Sequence, residues 1–291
     1  MQAVISYVTG LSSVPPKDDQ ASMELPLFAL RAGERNVRVY EDKRQRVEII
    51  PSALGAATQR DKDVLLFCVS QLVSARNRAA TLGSRTVRAT GYAILEFCHR
   101  GKAGKDYDRL IESLVRLRGT TIRTDRATGG RQITEGFGLI ESFRAVRDGR
   151  GSGRLECVEI TVSEWLYNAI ETTEVLSINP AYFDLRSDLE RRLYELARKH
   201  CGRQATWRVS VIVLWRKSGS QSSLPEFRRK LRGVARNNAL PDYRLILDAP
   251  QDTVVFFSRA PLGHIAELEH LFAKRTRCPC HRTRDGPVEK L

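Results

Sequence analysis

Between Leu224 and Asn238 the chain has to satisfy two environments at once. Phe227, Leu231 and Val234 follow Leu224 by three, seven and ten residues, which on a 3.6-residue period is a single apolar stripe. Arg228, Arg229, Arg232 and Arg236 share the other face, with Lys230 beside them and Asn237 and Asn238 at the exit. Such a segment buries one side and offers a row of hydrogen-bond donors on the other. A small-residue turn, Ser218 to Ser223, precedes it. Before that comes the apolar run Val209 to Trp215, which reads as a buried short helix or a strand.

Further upstream, Ser187 and Glu190 have the spacing of a capping box. The helix they open buries Leu189, Leu193, Leu196 and Ala197, and Gly202 sits where a left-handed C′ residue belongs. Downstream, Tyr243–Leu247 and Thr253–Phe257 flank Asp248-Ala-Pro-Gln-Asp as a hairpin. Helix, apolar segment, turn, basic helix and hairpin is the order of a winged helix, a helix-turn-helix closed by a β-ribbon.

The first half repeats that order. A helix spans Asp61 to about Asn77, Arg85–Arg88 is a short strand, and Thr90 caps a helix Gly91–Cys98. A further helix covers Asp106 to Leu117. Thr120–Thr124, an extended run from Ile133 to Val146, and Leu155–Val162 follow as strands, and Val37–Tyr40 with Arg46–Ile50 reads as a separate hairpin. The two halves share element order more than residues. The fold class is therefore α+β, with tandem winged-helix domains. The expected division is a flexible tail over 1–22, an N-terminal winged helix over 23–160 and a connecting segment over 161–182. A C-terminal winged helix over 183–262 and a tail over 263–291 complete it, and a short helix is readable at His264–Phe272.

Charge narrows the partner. The chain carries a net charge of +14 with a pI of about 9.9, and Arg outnumbers Lys 38 to ten. An excess of this size favours a polyanion, and the planar guanidinium suits phosphates and guanine edges. No run approaches the roughly 18 apolar residues a membrane span needs, and the N-terminus lacks the pattern of a signal peptide. Cys68, Cys98, Cys157 and Cys201 lie in apolar surroundings and read as reduced core residues, so the cytoplasm is the expected compartment.

The candidate DNA contacts follow. On the basic helix, Arg can fork onto guanine and Asn onto adenine, and the alternative is an ordinary solvated basic face. Lys217, Ser218, Ser220 and Ser222 precede it, where hydroxyls and an ammonium can take phosphates. The corresponding helix of the first half carries Lys105, Arg109 and Arg116 among Asp106, Asp108 and Glu112, a mixed face suited to phosphate contact or to packing. Arg126 and Arg131 flank a hairpin tip that reads either as a minor-groove wing or as a plain turn.

Catalysis finds no support. Gly101-Lys-Ala-Gly-Lys lacks the phosphate-loop pattern, and the five His include no closely spaced metal-binding pair of the kind a nicking enzyme uses. Neither a G-x-S-x-G elbow nor an H-E-x-x-H motif occurs, and Tyr194 sits on a core face. Cys278-Pro-Cys280-His281 has poor spacing for structural zinc, so no metal and no cofactor is expected.

Specific runs carry a resemblance. Lys105-Asp-Tyr-Asp-Arg-Leu-Ile-Glu-Ser-Leu-Val-Arg-Leu-Arg-Gly-Thr-Thr-Ile-Arg-Thr resembles the plasmid replication initiator protein A family. So do Trp165-Leu-Tyr-Asn-Ala-Ile, Ala181-Tyr-Phe-Asp-Leu and Arg192-Leu-Tyr-Glu-Leu-Ala-Arg-Lys-His-Cys-Gly. Leu214-Trp-Arg-Lys-Ser-Gly-Ser, Glu226-Phe-Arg-Arg-Lys-Leu-Arg and Leu240-Pro-Asp-Tyr complete the match, which extends from about Leu25 to Phe257.

The resemblance implies an initiator that binds repeated double-stranded sites (iterons) at a plasmid origin, helps melt adjacent AT-rich DNA and recruits the host initiator and helicase. It also implies a monomer–homodimer equilibrium. Base reading would fall to the 225–238 helix, and assembly to residues 25–160. A winged-helix transcription regulator or autorepressor is the alternative the residues leave open.

Overall fold

The computed structural model describes residues 14–41, 45–78, 84–128, 131–148 and 155–276. It is a mixed α and β architecture in which one order of elements occurs twice. In the first unit helix α2 (Lys62–Arg78) is followed by β4 (Thr86–Ala89), α3 (Gly91–Phe97) and α4 (Gly104–Gly119), and later by β7 (Ile140–Arg147) and β8 (Leu155–Val162). In the second, α6 (Asp188–His200) is followed by β10 (Thr206–Ser210), α7 (Val211–Ser218), α8 (Leu224–Asn237), β11 (Tyr243–Asp248) and β12 (Thr253–Ser258). Each unit closes with a three-stranded antiparallel sheet whose last strand is central, β4-β8-β7 and β10-β12-β11.

The first unit carries one insertion. Strands β5 (Thr121–Thr128) and β6 (Arg131–Gly138) form a hairpin between α4 and β7. They join the expected hairpin β2 (Arg38–Glu41) and β3 (Gln45–Ile50) in a four-stranded sheet, β2-β3-β5-β6. The single extended run expected over Ile133–Val146 is thus two strands in two sheets. The chain crosses between them at Gly138, where an added Cβ would lie 2.8 Å from the Ile140 carbonyl.

Local signals explain most element boundaries. The Thr90 hydroxyl accepts from the Ala93 N–H, Ser163 caps α5 (Glu164–Glu171), and Ser187 and Glu190 form the expected capping box at α6. The run Val209–Trp215 is divided at Ser210, whose side chain caps α7, so it is strand and then helix. Gly202, at φ +56°, follows α6 as its C′ residue.

Three boundaries differ from expectation. Residues 17–24 are strand β1 (Lys17–Asp19) and helix α1 (Gln20–Glu24), with Asp18, Asp19, Ser22 and Met23 buried, and are no tail. Their polar groups are satisfied internally: Asp18 Oδ2 lies 2.6 Å from the Lys62 ammonium, and β1 pairs with β9 (Val175–Ser177). The segment 161–182 is more than a connector, because Val162, Leu166 and Ile170 belong to the first core. Beyond 263 the chain continues as helix α9 (Pro261–Thr276), which packs on β12 and pairs Glu267 with Arg244 at 2.9 Å. Residues 1–13 and the cluster Cys278, Cys280 and His281 lie outside the described residues.

The units have separate apolar cores that touch. Leu66 of α2 packs in the second core, and Phe97 lies against both. Aromatic rings run from Phe67 through Phe97 to Phe183, then Tyr182, Tyr194 and Tyr243, at 5.4 to 6.0 Å between neighbouring centroids. Charge crosses the same boundary. The buried Arg191 guanidinium of α6 meets Asp63 of α2 at 2.5 Å, and Gln59 donates to Glu195 at 2.6 Å.

Candidate nucleic-acid interface

Helix α8 is held from both sides. Phe227 and Leu231 are fully buried and Val234 nearly so, a burial worth about 1.5–3 kcal/mol per large side chain. Pro225 stands in the first turn, and Asn238 ends the helix in a left-handed conformation at φ +49°, its carbonyl accepting from Arg259 at 2.8 Å. The basic residues of the opposite face then divide by partner. Arg228 forks onto Asp252 at 2.8 and 2.7 Å, tying α8 to the connection between β11 and β12. Arg229 forks onto Glu226 one turn earlier, at 2.7 Å for both bonds. Those guanidiniums hold the Asp252 and Glu226 carboxyls below their usual range. Arg232, Arg236 and Asn237 are exposed, and the two arginines have no ion pair among the described residues.

The turn before α8 has its own internal bonding. Gly219 adopts φ +73°, the Trp215 indole N–H donates to the Ser222 carbonyl at 2.9 Å, and the Ser220 and Ser222 hydroxyls are 2.8 Å apart. Ser218 is fully buried and its hydroxyl donates to the Trp215 carbonyl at 2.8 Å. It shapes the turn and has no route to a phosphate. Lys217 is engaged by Glu24 of α1. The expected phosphate set therefore reduces to Ser220, itself nearly buried, and Ser222, both already bonded to each other.

The first unit's α4 is mixed, as its residues suggest. Lys105 and Arg109 are exposed, and Arg109 lies 3.4 Å from Asp106. Arg116 faces inward instead. It forks onto the buried Asp61 at 2.8 Å for both bonds, and that partnership lowers the Asp61 pKa against the opposing effect of burial. Its role is to fasten α4 to the start of α2. Arg126 and Arg131 stand on β5 and β6 beside the hairpin tip, and their side chains lie outside the described residues.

Sequence patterning passes over some cations near α8. Arg216 is exposed on α7. Arg31 lines a cleft of about 420 Å³ together with Ser187, Gln221, Ser222, Lys230 and Asn237. Arg31 lies in an aperiodic stretch, so nothing local announces it. Tyr194 donates to Asp242 at 2.7 Å, and burial pushes the Cys98 thiol up to about 12 and Cys201 to about 11.

Residues 17–245 match the replication initiator protein A family. The chain belongs to that family. A family relative, described as "Putative replication protein" from Wigglesworthia glossinidia brevipalpis, is 34% identical over 244 residues, covering 84% of this chain and 89% of the relative. Two solved structures share the fold at 13% identity. The crystal structure of domains 2 and 3 of RctB superposes with a TM-score of 0.60 over 80% of this chain and 94% of that one. A second structure of RctB domains 2–3 gives 0.56 over 84% and 99%. The family match begins at Lys17, where β1 begins, so residues 17–22, taken from sequence as the end of a tail, are part of the shared region. No described helix is long and apolar enough to cross a membrane.

Proposed function

We propose that this family member is an origin-binding replication initiator built from two winged helices, and that α8 reads the major groove of repeated double-stranded sites. The repeated order of helix, strand, two helices and two strands, with the last strand central, supports the winged-helix reading. The observation that carries the base-reading role is the exposed row Arg232, Arg236 and Asn237, whose arginines have no ion pair among the described residues, opposite the buried Phe227/Leu231/Val234 stripe. Arg228 serves this role indirectly, fixing the hairpin to the helix through Asp252. The protein acts by binding rather than catalysis. Once seated it promotes opening of AT-rich DNA beside the repeats and offers its remaining surface to the host initiator and helicase, with a monomer–homodimer equilibrium. The site of action is the plasmid in the cytoplasm.

Arg232→Ala and Arg236→Ala should leave the fold intact and each reduce cognate affinity by about 1–3 kcal/mol, with little change on scrambled DNA. Gel-shift titration at several salt concentrations measures this. A residue that touches phosphate alone instead weakens both DNAs alike and lowers the salt slope by about one. Unchanged cognate affinity in both variants contradicts the assignment.

A further inference from the structure

The segment between Lys17 and Tyr40 touches both units, and its contacts in the second fall on α6 and on the turn before α8. Strand β1 is fixed in the first unit by Lys17 N–H donating to Ser70 of α2 at 2.8 Å and by the buried Asp18–Lys62 pair. Helix α1 then ends against α6, where the buried Arg192 gathers the free carbonyls of that end. It donates to Ser22 at 3.1 Å, Met23 at 2.9 Å and Glu24 at 2.9 Å. The same guanidinium also donates to the Lys217 carbonyl at 2.8 and 3.2 Å. One buried side chain thus joins the end of α1 to the last turn of α7.

Further contacts brace the turn. The Glu24 carboxylate engages Lys217, His200 at 3.0 Å and Lys199 at 3.2 Å. Gly219 rests on Pro26: a Cβ there would lie 2.7 Å from Pro26 Cβ and 3.1 Å from the Tyr40 hydroxyl. Pro26 is in turn held by Arg38, which donates to the carbonyls of Pro26, Leu27 and Phe28 at 2.9 to 3.2 Å and pairs with Glu34 at 2.8 Å. Arg38 belongs to β2, so the chain of contact runs from the first unit's sheet to the α7–α8 turn without a gap.

We propose that residues 17–40 form a positioning arm that locks the α7–α8 turn to the first unit and so sets the angle at which α8 meets DNA. Arg192, Glu24, Arg38 and Pro26 are positioning residues with no DNA contact of their own. The inference rests on α8 being the DNA-reading helix.

Glu24→Ala separates this role from simple electrostatics. The substitution removes a negative charge, which alone tightens binding to a polyanion. A positioning role gives the opposite sign. Loosening the turn lowers the fraction of binding-ready molecules, and affinity for the cognate site falls by about 5- to 10-fold. In the free protein, hydrogen exchange at Gly219–Ser222 should speed up about 10-fold while α2 and the core of α6 keep their protection. Cognate affinity that is unchanged or tighter overturns the proposal, as does turn exchange equal to that of the native chain. Failure of the underlying reading looks different: there Arg232→Ala is neutral on cognate DNA whatever Glu24→Ala does to exchange.

Discussion

Asp18, Lys62 and Glu195 are almost wholly buried together, and two carboxylates share one ammonium, at 2.6 and 3.1 Å. Glu195 has further donors in Tyr182, Gln59 and Arg192, at 2.8, 2.6 and 3.2 Å. Asp18 is the less well served partner. Burial, aided by Glu195 and Asp19 and opposed by Lys62, pushes its carboxyl up to about 7. The folded chain therefore holds a proton that the unfolded chain has released above about 4. Asp18's contribution to stability is full below that value and is lost as pH rises towards 7. Asp18→Asn has no such proton to lose. The stability gap between native protein and variant, measured as urea midpoints, should move in the variant's favour from pH 5 to pH 8. A gap that stays constant or moves the other way contradicts the assignment of this group. None of this is legible in Lys17-Asp18-Asp19, which reads as solvated polar chain because both partners of Asp18 are supplied from distant elements.

At the scale of elements, α8 makes two adjacent residues do opposite things. Leu231→Ala removes a fully buried side chain beside Phe227 and Val234 and should cost about 2–5 kcal/mol of unfolding free energy. Arg232→Ala, one position on and exposed, should change stability by less than about 0.5 kcal/mol. Denaturant titration of the two variants checks the contrast, and comparable losses in both would contradict the assigned face. That face is legible in sequence because Phe227, Leu231 and Val234 keep a helical period. So are the caps at Thr90 and Ser187, which depend on bonds within three residues. Ser218 and Arg116 are less legible. A serine in a turn looks the same whether its hydroxyl meets water or the Trp215 carbonyl. The partner of Arg116, Asp61, is 55 residues away.

At the scale of the molecule, two units of one design are joined by apolar, aromatic and ionic contacts, with the arm of residues 17–40 crossing between them. The repeated order of elements is legible in sequence because each unit carries its own periods, caps and turns. The joint is not, since Phe97–Phe183 and Asp63–Arg191 pair residues with no local signature. The chain belongs to the replication initiator protein A family, and under the function proposed above the ligand of this assembly is origin DNA. Footprinting on the DNA flanking its gene, with native protein and the Arg232→Ala/Arg236→Ala double variant, tests that most directly. The expected result is protection of tandem direct repeats beside an AT-rich stretch, lost in the double variant. Protection of one inverted repeat alone, or a footprint the double variant leaves unchanged, would contradict it.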